Sequence, residues 1–325
     1  MLWYAPDVVG SCAQGDWPTD PNMRPCTNTP IAIMVNDSDV WPPLGTGSHG
    51  IRFSLSYSND LWRAGEYIGA AGLAKWLSYC RTFVRTMGHP RYLRVGGRLV
   101  IKVLGPYNFL THQCSGNRTL AQSLISRLRA MAVAAGVGDP LIGGGWVSED
   151  EPMPERGYQG VAYDYCGDYD SASRASSLGK CVATDVVLLW AQLAGNNDGE
   201  RWASHLNDAV PWVPNIDAGY DTRAVPGNRS GQCTYGEPTQ SDWATYLRKV
   251  KSRMLAPGSR FGFPLGGAQV QPALTIYAWN EYAEGGIVAP TQGQGWSKLQ
   301  GIAEVFGGRP HHHDRLSPDD GAARP

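Results

Sequence analysis

From residue 50 onward the chain alternates between short apolar runs and longer stretches whose apolar residues recur every three to four positions. Runs of the first kind suit buried strands, and spacing of the second kind marks one face of a helix. The runs predict strands over 51–57, 98–104, 140–147, 160–166, 211–216 and 273–279. The spacing predicts helices over 73–87, 120–137, 181–193, 200–206, 241–255 and 297–306. Thr239 or Ser241 is the expected N-cap of the helix over 241–255, with Asp242 in its first turn. Strands that alternate with helices build parallel βα units. Six such units predict an α/β fold, a (β/α)8 TIM-type barrel lacking its first one or two strands in this chain. A doubly wound sheet is the rival, but Gly143-Gly144-Gly145 leads into Trp146 and acidic residues, a poor phosphate cradle.

Residues 5–48 are rich in Pro, Gly, Asn, Asp and Cys and read as a long loop, with a short ordered piece at 31–35. The opening Leu2-Trp3-Tyr4-Ala5-Pro6-Asp7 reads as the last turn of a strand, so further sequence is expected upstream. The organisation is then a loop-rich segment over 1–49 carrying the end of an early barrel strand, a barrel over 50–308, and a disordered tail over 309–325. The tail's His311, His312 and His313 read as solvated side chains and not as a metal site.

Barrels place their chemistry at the C-terminal ends of the strands. The predicted strand exits offer Asn59, Asp60 and Trp62, then Tyr107, then Trp146, then Tyr163, Asp164 and Tyr165, then Tyr220, Asp221 and Arg223. The last exit offers Trp279, Asn280, Glu281, Tyr282 and Glu284. Several have a plainer reading beside the functional one. Asn59 and Asp60 also suit a turn or a helix cap, and Asp221 with Arg223 suits a local bridge. The run Glu149-Asp150-Glu151 suits a solvated loop, and it lacks calcium-loop spacing. Carboxylates, amides and aromatics converge while basic residues are scarce, which fits a neutral polyol. A phosphate or carboxylate would ask for Arg and Lys clamps.

The apolar run 273–279 ends in Trp-Asn-Glu, and Glu284 follows three residues after Glu281. Cleaving a glycosidic bond takes one protonated carboxyl to protonate the leaving oxygen and one ionised carboxylate as base or nucleophile. Two carboxyls held close repel, which raises one pKa and yields an acid at neutral pH. An arbitrary E-x-x-E is more often two solvated charges on a helix. A pair at the end of an apolar strand favours the catalytic reading, with Glu281 and Glu284 in the two roles.

Composition narrows the classes further. A length of 325 residues suits one large domain or two ordinary ones, and a net charge of -1 provides no field toward nucleic acid or an acidic membrane. No apolar run is long enough to span a bilayer. Trp 12 and Tyr 15 stand beside only 6 Phe, and rings with a polar handle both stack on sugars and hydrogen-bond to them. Seven cysteines occur without a C-x-x-C pair. Cys12 with Cys26 and Cys166 with Cys181 fit loop disulfides; an odd count leaves one cysteine unpaired, or paired with something outside this chain, and the usage leans toward a secreted or envelope protein. No signal peptide is visible at the start. A G-x-S-x-G elbow is missing, and nothing in the sequence asks for a cofactor or a metal.

Three stretches resemble the glycoside hydrolase family 99-like, or WbsX-like, barrels. They are His89-Pro90-Arg91-Tyr92-Leu93-Arg94-Val95-Gly96-Gly97-Arg98, Val213-Pro214-Asn215-Ile216-Asp217-Ala218-Gly219-Tyr220-Asp221-Thr222-Arg223, and Ala278-Trp279-Asn280-Glu281-Tyr282-Ala283-Glu284-Gly285-Gly286 followed by Ala289-Pro290-Thr291. Leu99 stands where the family has Pro, and Tyr282 where it has Trp. The resemblance implies an endo-acting hydrolase of α-linked, mannan-like glycans. It implies Glu284 as general acid/base and Glu281 as the base that draws a proton from the sugar 2-hydroxyl. The alternative is a carbohydrate-binding or polysaccharide-assembly protein that keeps the barrel without turnover.

Overall fold

The computed structural model describes residues 2–4, 52–57, 59, 64–144, 161, 163–167, 211–219, 238–282 and 285–307. The strands are β1 (Leu2–Tyr4), β2 (Leu55–Tyr57), β3 (Arg94–Val95), β4 (Arg98–Val103), β5 (Leu141–Gly144), β6 (Tyr165–Gly167), β7 (Trp212–Val213) and β8 (Asn215–Asp217). They continue as β9 (Gly262–Gly266), β10 (Gln269–Pro272), β11 (Thr275–Tyr277), β12 (Asn280–Glu281) and β13 (Gly286–Ile287). The long helices are α1 (Gly69–Met87), α2 (Arg118–Ala134), α3 (Gln240–Met254) and α4 (Ser297–Phe306).

β1, β2, β4, β5, β6 and β7 lie side by side in chain order, every pair parallel. Pro214 alone separates β7 from β8, as expected of a residue without a ladder N–H, and β8 pairs in parallel with β11. The order never reverses. A doubly wound sheet reverses at its switch point; among the described strands the order runs one way, as in the wall of a barrel. Among the described residues no pairing closes β11 onto β1. The expected strand end near residue 2 is present as β1, in register with Leu55–Tyr57. The predicted helices over 181–193 and 200–206 and the piece at 31–35 lie outside the described residues, as do Cys12, Cys26 and Cys181.

Alternation sorts the strand residues onto two faces. Leu55, Tyr57, Ile101, Val103, Ile142 and Ile216 belong to a large core with the helices. There α1 contributes Trp76, Tyr79, Cys80 and Phe83 at helical spacing, and α2 contributes Leu124, Ile125 and Leu128. Val100, Leu141 and Val213 form a second cluster with Val95 and Phe263. This second cluster is the floor of the inner face. Its last two members come from short antiparallel elements at the N-terminal ends of the strands, β3 against β4 and β9 against β10, which the sequence pattern did not predict. Helix starts follow local chemistry. The Asn117 side chain accepts from Leu120 N at 2.9 Å. Thr239, not Ser241, caps α3, accepting from Asp242 N at 3.2 Å. No helix among the described residues is long and apolar enough to cross a membrane.

An ion cluster ties the N-terminal ends of the strands together. Asp164 Oδ2 accepts from Arg98 Nη2 at 3.1 Å, Arg129 Nη2 at 2.5 Å and Ile142 N at 2.9 Å, and Asp139 accepts from both arginines. Burial works to lower the Arg129 pKa, but the Asp164 and Asp139 carboxylates outweigh it and hold the guanidinium above its usual value. Removing one partner of such a pair strands the other. Discounted for partial exposure, Asp164→Ala is expected to cost about 2–3 kcal/mol in urea unfolding. A loss below about 0.5 kcal/mol would show that water already screens the cluster.

Cys80 and Cys114 are free, buried thiols, so the odd cysteine count does not leave a single spare thiol. Burial pushes both pKa values up to about 12, with Glu66 adding to the effect at Cys114. Thiolates are the reactive form. Iodoacetamide at pH 8 is therefore expected to spare both in the native protein and to label both in urea, as read by peptide mass spectrometry.

Candidate active site

β11 ends the parallel wall with Thr275, Ile276 and Tyr277, two β-branched residues and an aromatic that fit a buried pleat. Its register with β8 is fixed by Thr275 N to Pro214 O at 2.8 Å and Ala218 N to Tyr277 O at 2.8 Å. Beyond a cis peptide bond at Tyr277–Ala278 the chain turns into a hairpin, β12 against β13, with Asn280 opposite Ile287 and Glu281 opposite Gly286. The hairpin is anchored on three sides. Ala278 N donates to Gly286 O at 3.1 Å, and Ala289 N donates to Trp279 O at 2.8 Å. The buried Lys298 on α4 donates to Ile287 O at 2.6 Å, and its own carbonyl accepts from Trp243 Nε1 at 3.1 Å. Two of the resembling stretches, distant in sequence, meet here: Gly219, at φ 149°, lies so close to Gly285 O that a β-carbon would stand 2.8 Å from it.

The hairpin sits at the C-terminal end of the wall and presents aromatics to solvent. Trp279 is 57% exposed and Tyr282 58%. Asn280 is exposed beside them, and the Glu281 backbone is held in β12. Trp296, 64% exposed, precedes α4 at this same end. Trp296 is not among the predicted lining residues; it follows the polar stretch Gln292-Gly293-Gln294-Gly295 and ends no apolar run. Glu284, Asp60, Trp62, Trp146, Tyr220, Asp221 and Arg223 lie outside the described residues, as does the run 149–151.

Other candidates have different places. Asn59 is buried between strand exits: Nδ2 donates to Gly105 O at 2.6 Å and Gln113 Oε1 at 3.1 Å, while Oδ1 accepts from Gly105 N at 2.7 Å. Both amide hydrogens are committed, so Asn59 ties the β2 exit to the β4 exit and has none left for a sugar. Gln113 extends the network to Tyr57 OH and to Glu66, which is ion-paired with Lys75. Tyr107 occupies the helical turn after β4, partly buried, with its ring edge-on to His112 at 5.9 Å.

Tyr163 and Asp164 correct the sequence expectation. The strand begins at Tyr165 where an exit was expected, so both residues lead into the wall at its N-terminal end. Tyr163 is buried, and burial pushes its phenol pKa up. Asp164 belongs to the ion cluster. Tyr165 opens β6, in register with Gly143.

One group at the wall was missed. Lys102 is buried on β4, between Ile101 and Val103. Its signal was a lone charge within the apolar run Val100-Ile101-Lys102-Val103-Leu104. The expectation of a lining poor in cations therefore needs this correction.

No protein-family model matches the chain, and no curated protein sequence does. Among solved structures, one described as "Glycoside hydrolase-like protein" superposes with a TM-score of 0.54 at 11% identity, over 78% of this chain and 70% of that one. The chain shares the fold of that glycoside hydrolase-like protein. Two structures of the GH99 endo-alpha-mannosidase from Bacteroides thetaiotaomicron align more loosely, both with a TM-score of 0.34. The one in complex with BIS-TRIS-Propane is 13% identical over 78% of this chain and 76% of that one, and the other 12% identical over 78% and 72%.

Proposed function

We propose that the protein is a glycoside hydrolase acting within α-linked, mannan-like glycans, with Glu281 and Glu284 as its two carboxyl groups and the wall of parallel strands, β1 at Leu2–Tyr4 included, closing into a barrel that continues over 50–308. The observation that carries this is the exit of β11, where the hairpin holding Glu281 stands at the C-terminal end of the parallel wall between exposed Trp279 and Tyr282. That is where barrels place their reacting groups, and exposed rings of this kind stack on sugar faces. In the scheme the resemblance implies, Glu284 protonates the leaving oxygen and later deprotonates water. Glu281 draws the proton from the sugar 2-hydroxyl so that this oxygen bonds to the anomeric carbon as the leaving oxygen departs, and it returns the proton when water breaks that bond, outside the ordinary two-carboxylate scheme.

The test is release of reducing ends from α-mannan and other α-linked polysaccharides by the full chain. Short oligosaccharides appearing early indicate endo cleavage. The exposed rings at the mouth equally suit a second reading, a carbohydrate-binding protein without turnover. Saturable glycan binding with no new reducing ends over a day would favour it over hydrolysis.

A further inference from the structure

The exit of β4 carries a patch that the two-carboxylate site does not use. Gly105 follows the strand and is held by both ends of the Asn59 amide. The chain then winds through a helical turn, Pro106–Asn108, into a π-helical turn, Phe109–Gln113. Phe109 points out to the helix layer, with its ring 5.3 Å from that of Trp76 and 5.8 Å from that of Tyr67. Tyr107 precedes it by two residues, about 200° round the turn, and so faces away from the helices at the C-terminal end of the wall. Pro106, Asn108, Phe109, Leu110 and Gln113 are buried, whereas Tyr107, Thr111 and His112 are part-exposed.

The π winding decides which of these three meet. In an α-helix, residues five apart point about 140° apart. Closing a turn from i to i+5 instead returns the fifth residue toward the first, and Cys114 N donates to Phe109 O at 2.9 Å in this way. The His112 ring accordingly stands 5.9 Å from the Tyr107 ring at an interplanar angle of 79°. Thr111, four residues from Tyr107, lies on the same side of the turn. Turns of this kind are rare and recur at functional sites. The Tyr107 and Thr111 hydroxyls make no hydrogen bond among the described residues. Each can donate and accept, and they stand beside two aromatic rings. A sugar unit presents the complement, hydroxyls for the one and C–H faces for the other.

We infer that Tyr107, Thr111 and His112 form a glycan subsite at the exit of β4. This rests on the glycan-directed reading above and adds to the residues that recognise the substrate. β5, β6, β7 with β8, and β11 follow β4 along the wall, so this exit stands four strand positions from the one that holds Glu281. The sugar held here is a unit away from the cleaved bond, and the subsite acts through the length of the glycan.

The test is calorimetric binding to the full-length Glu284→Gln chain, which does not consume its ligand. The probes are α-linked manno-oligosaccharides of increasing length, with α-linked gluco-oligosaccharides alongside. Affinity in at least one series is expected to rise by about tenfold or more from the shortest member to the longest, the contribution of a pair of hydrogen bonds. Adding Tyr107→Phe and Thr111→Val together removes two hydroxyls and keeps both shapes. That variant is expected to cut the rise to about twofold or less with Tm unchanged. A purely structural role gives the reverse, a lower Tm with the gain from chain length intact. His112→Phe keeps a ring beside Tyr107 and removes both nitrogens, and it should cut the rise as well. The double change stands as the test if His112→Phe does not fold. An unchanged gain in the folded double variant, or no gain with length in either series, overturns the subsite and leaves the glycosidase reading intact. No glycan binding at all overturns both.

Discussion

Glu284→Gln is expected to lower glycan cleavage by about 10²–10⁴-fold, the usual contribution of a positioned general acid or base, while circular dichroism shows an unchanged fold. Glu281→Gln is expected to lose a comparable factor, and the two variants should separate by leaving group. An acid is needed most when the departing oxygen is a poor leaving group. A nitrophenyl or fluoride leaving group departs without protonation, so activated substrates should restore much of the first step in Glu284→Gln. They should not rescue Glu281→Gln, because the proton on the sugar 2-hydroxyl still has to be removed. A substrate methylated at that hydroxyl should resist the wild type itself. Activity within twofold of wild type in either carboxamide variant would remove that residue from the chemistry. Rescue of both variants by a good leaving group would reverse the role given to Glu281.

What was readable in the sequence follows from how each element is stabilised. Parallel strands buried on both faces produce unbroken apolar runs, so the cores of β4, β5 and β11 and the helices α3 and α4 stood out. The end of such a run is less legible. Tyr163-Asp164-Tyr165 looked like a strand exit because polar and aromatic residues close an apolar segment. Asp164 is instead drawn to Arg98 and Arg129 at the opposite end of the wall, a pairing that joins residues far apart in sequence. Asn59 carried the same ambiguity between a ligand and a tie, and only the partners Gly105 and Gln113 resolve it. The hairpin β9–β10 takes its place from a long-range contact, Phe263 against Val100 and Leu141, so composition gave little sign of it. Lys102 was visible as a lone charge, but its place on the inner face depends on which of two strand faces meets the helices.

Gly286→Ala is expected to depress kcat by about 100-fold with little change in KM, since a misplacement of about 1 Å at a reacting group costs that much. A β-carbon at Gly286 would stand 2.7 Å from Tyr277 Cε1 and 2.8 Å from Cδ1, too close for either group to stay. Tyr277 is held in the β11–β8 ladder through Asp217 and Ala218, so the hairpin is the part that yields. Moving Gly286 moves its register partner Glu281. The cost in stability should stay near 1–3 kcal/mol, as for other overpacked sites, so the variant is expected to fold and bind glycan. Gly219→Ala attacks the same joint from the other side, meeting the Gly285 carbonyl at a φ that L residues rarely adopt. It should be the more damaging of the two. Gly293→Ala, which meets nothing within 4 Å, is the control and should behave as wild type. A folded Gly286→Ala chain with full turnover would mean that the chemistry does not depend on where this hairpin holds Glu281, and the carboxyl groups would have to be sought at another strand end.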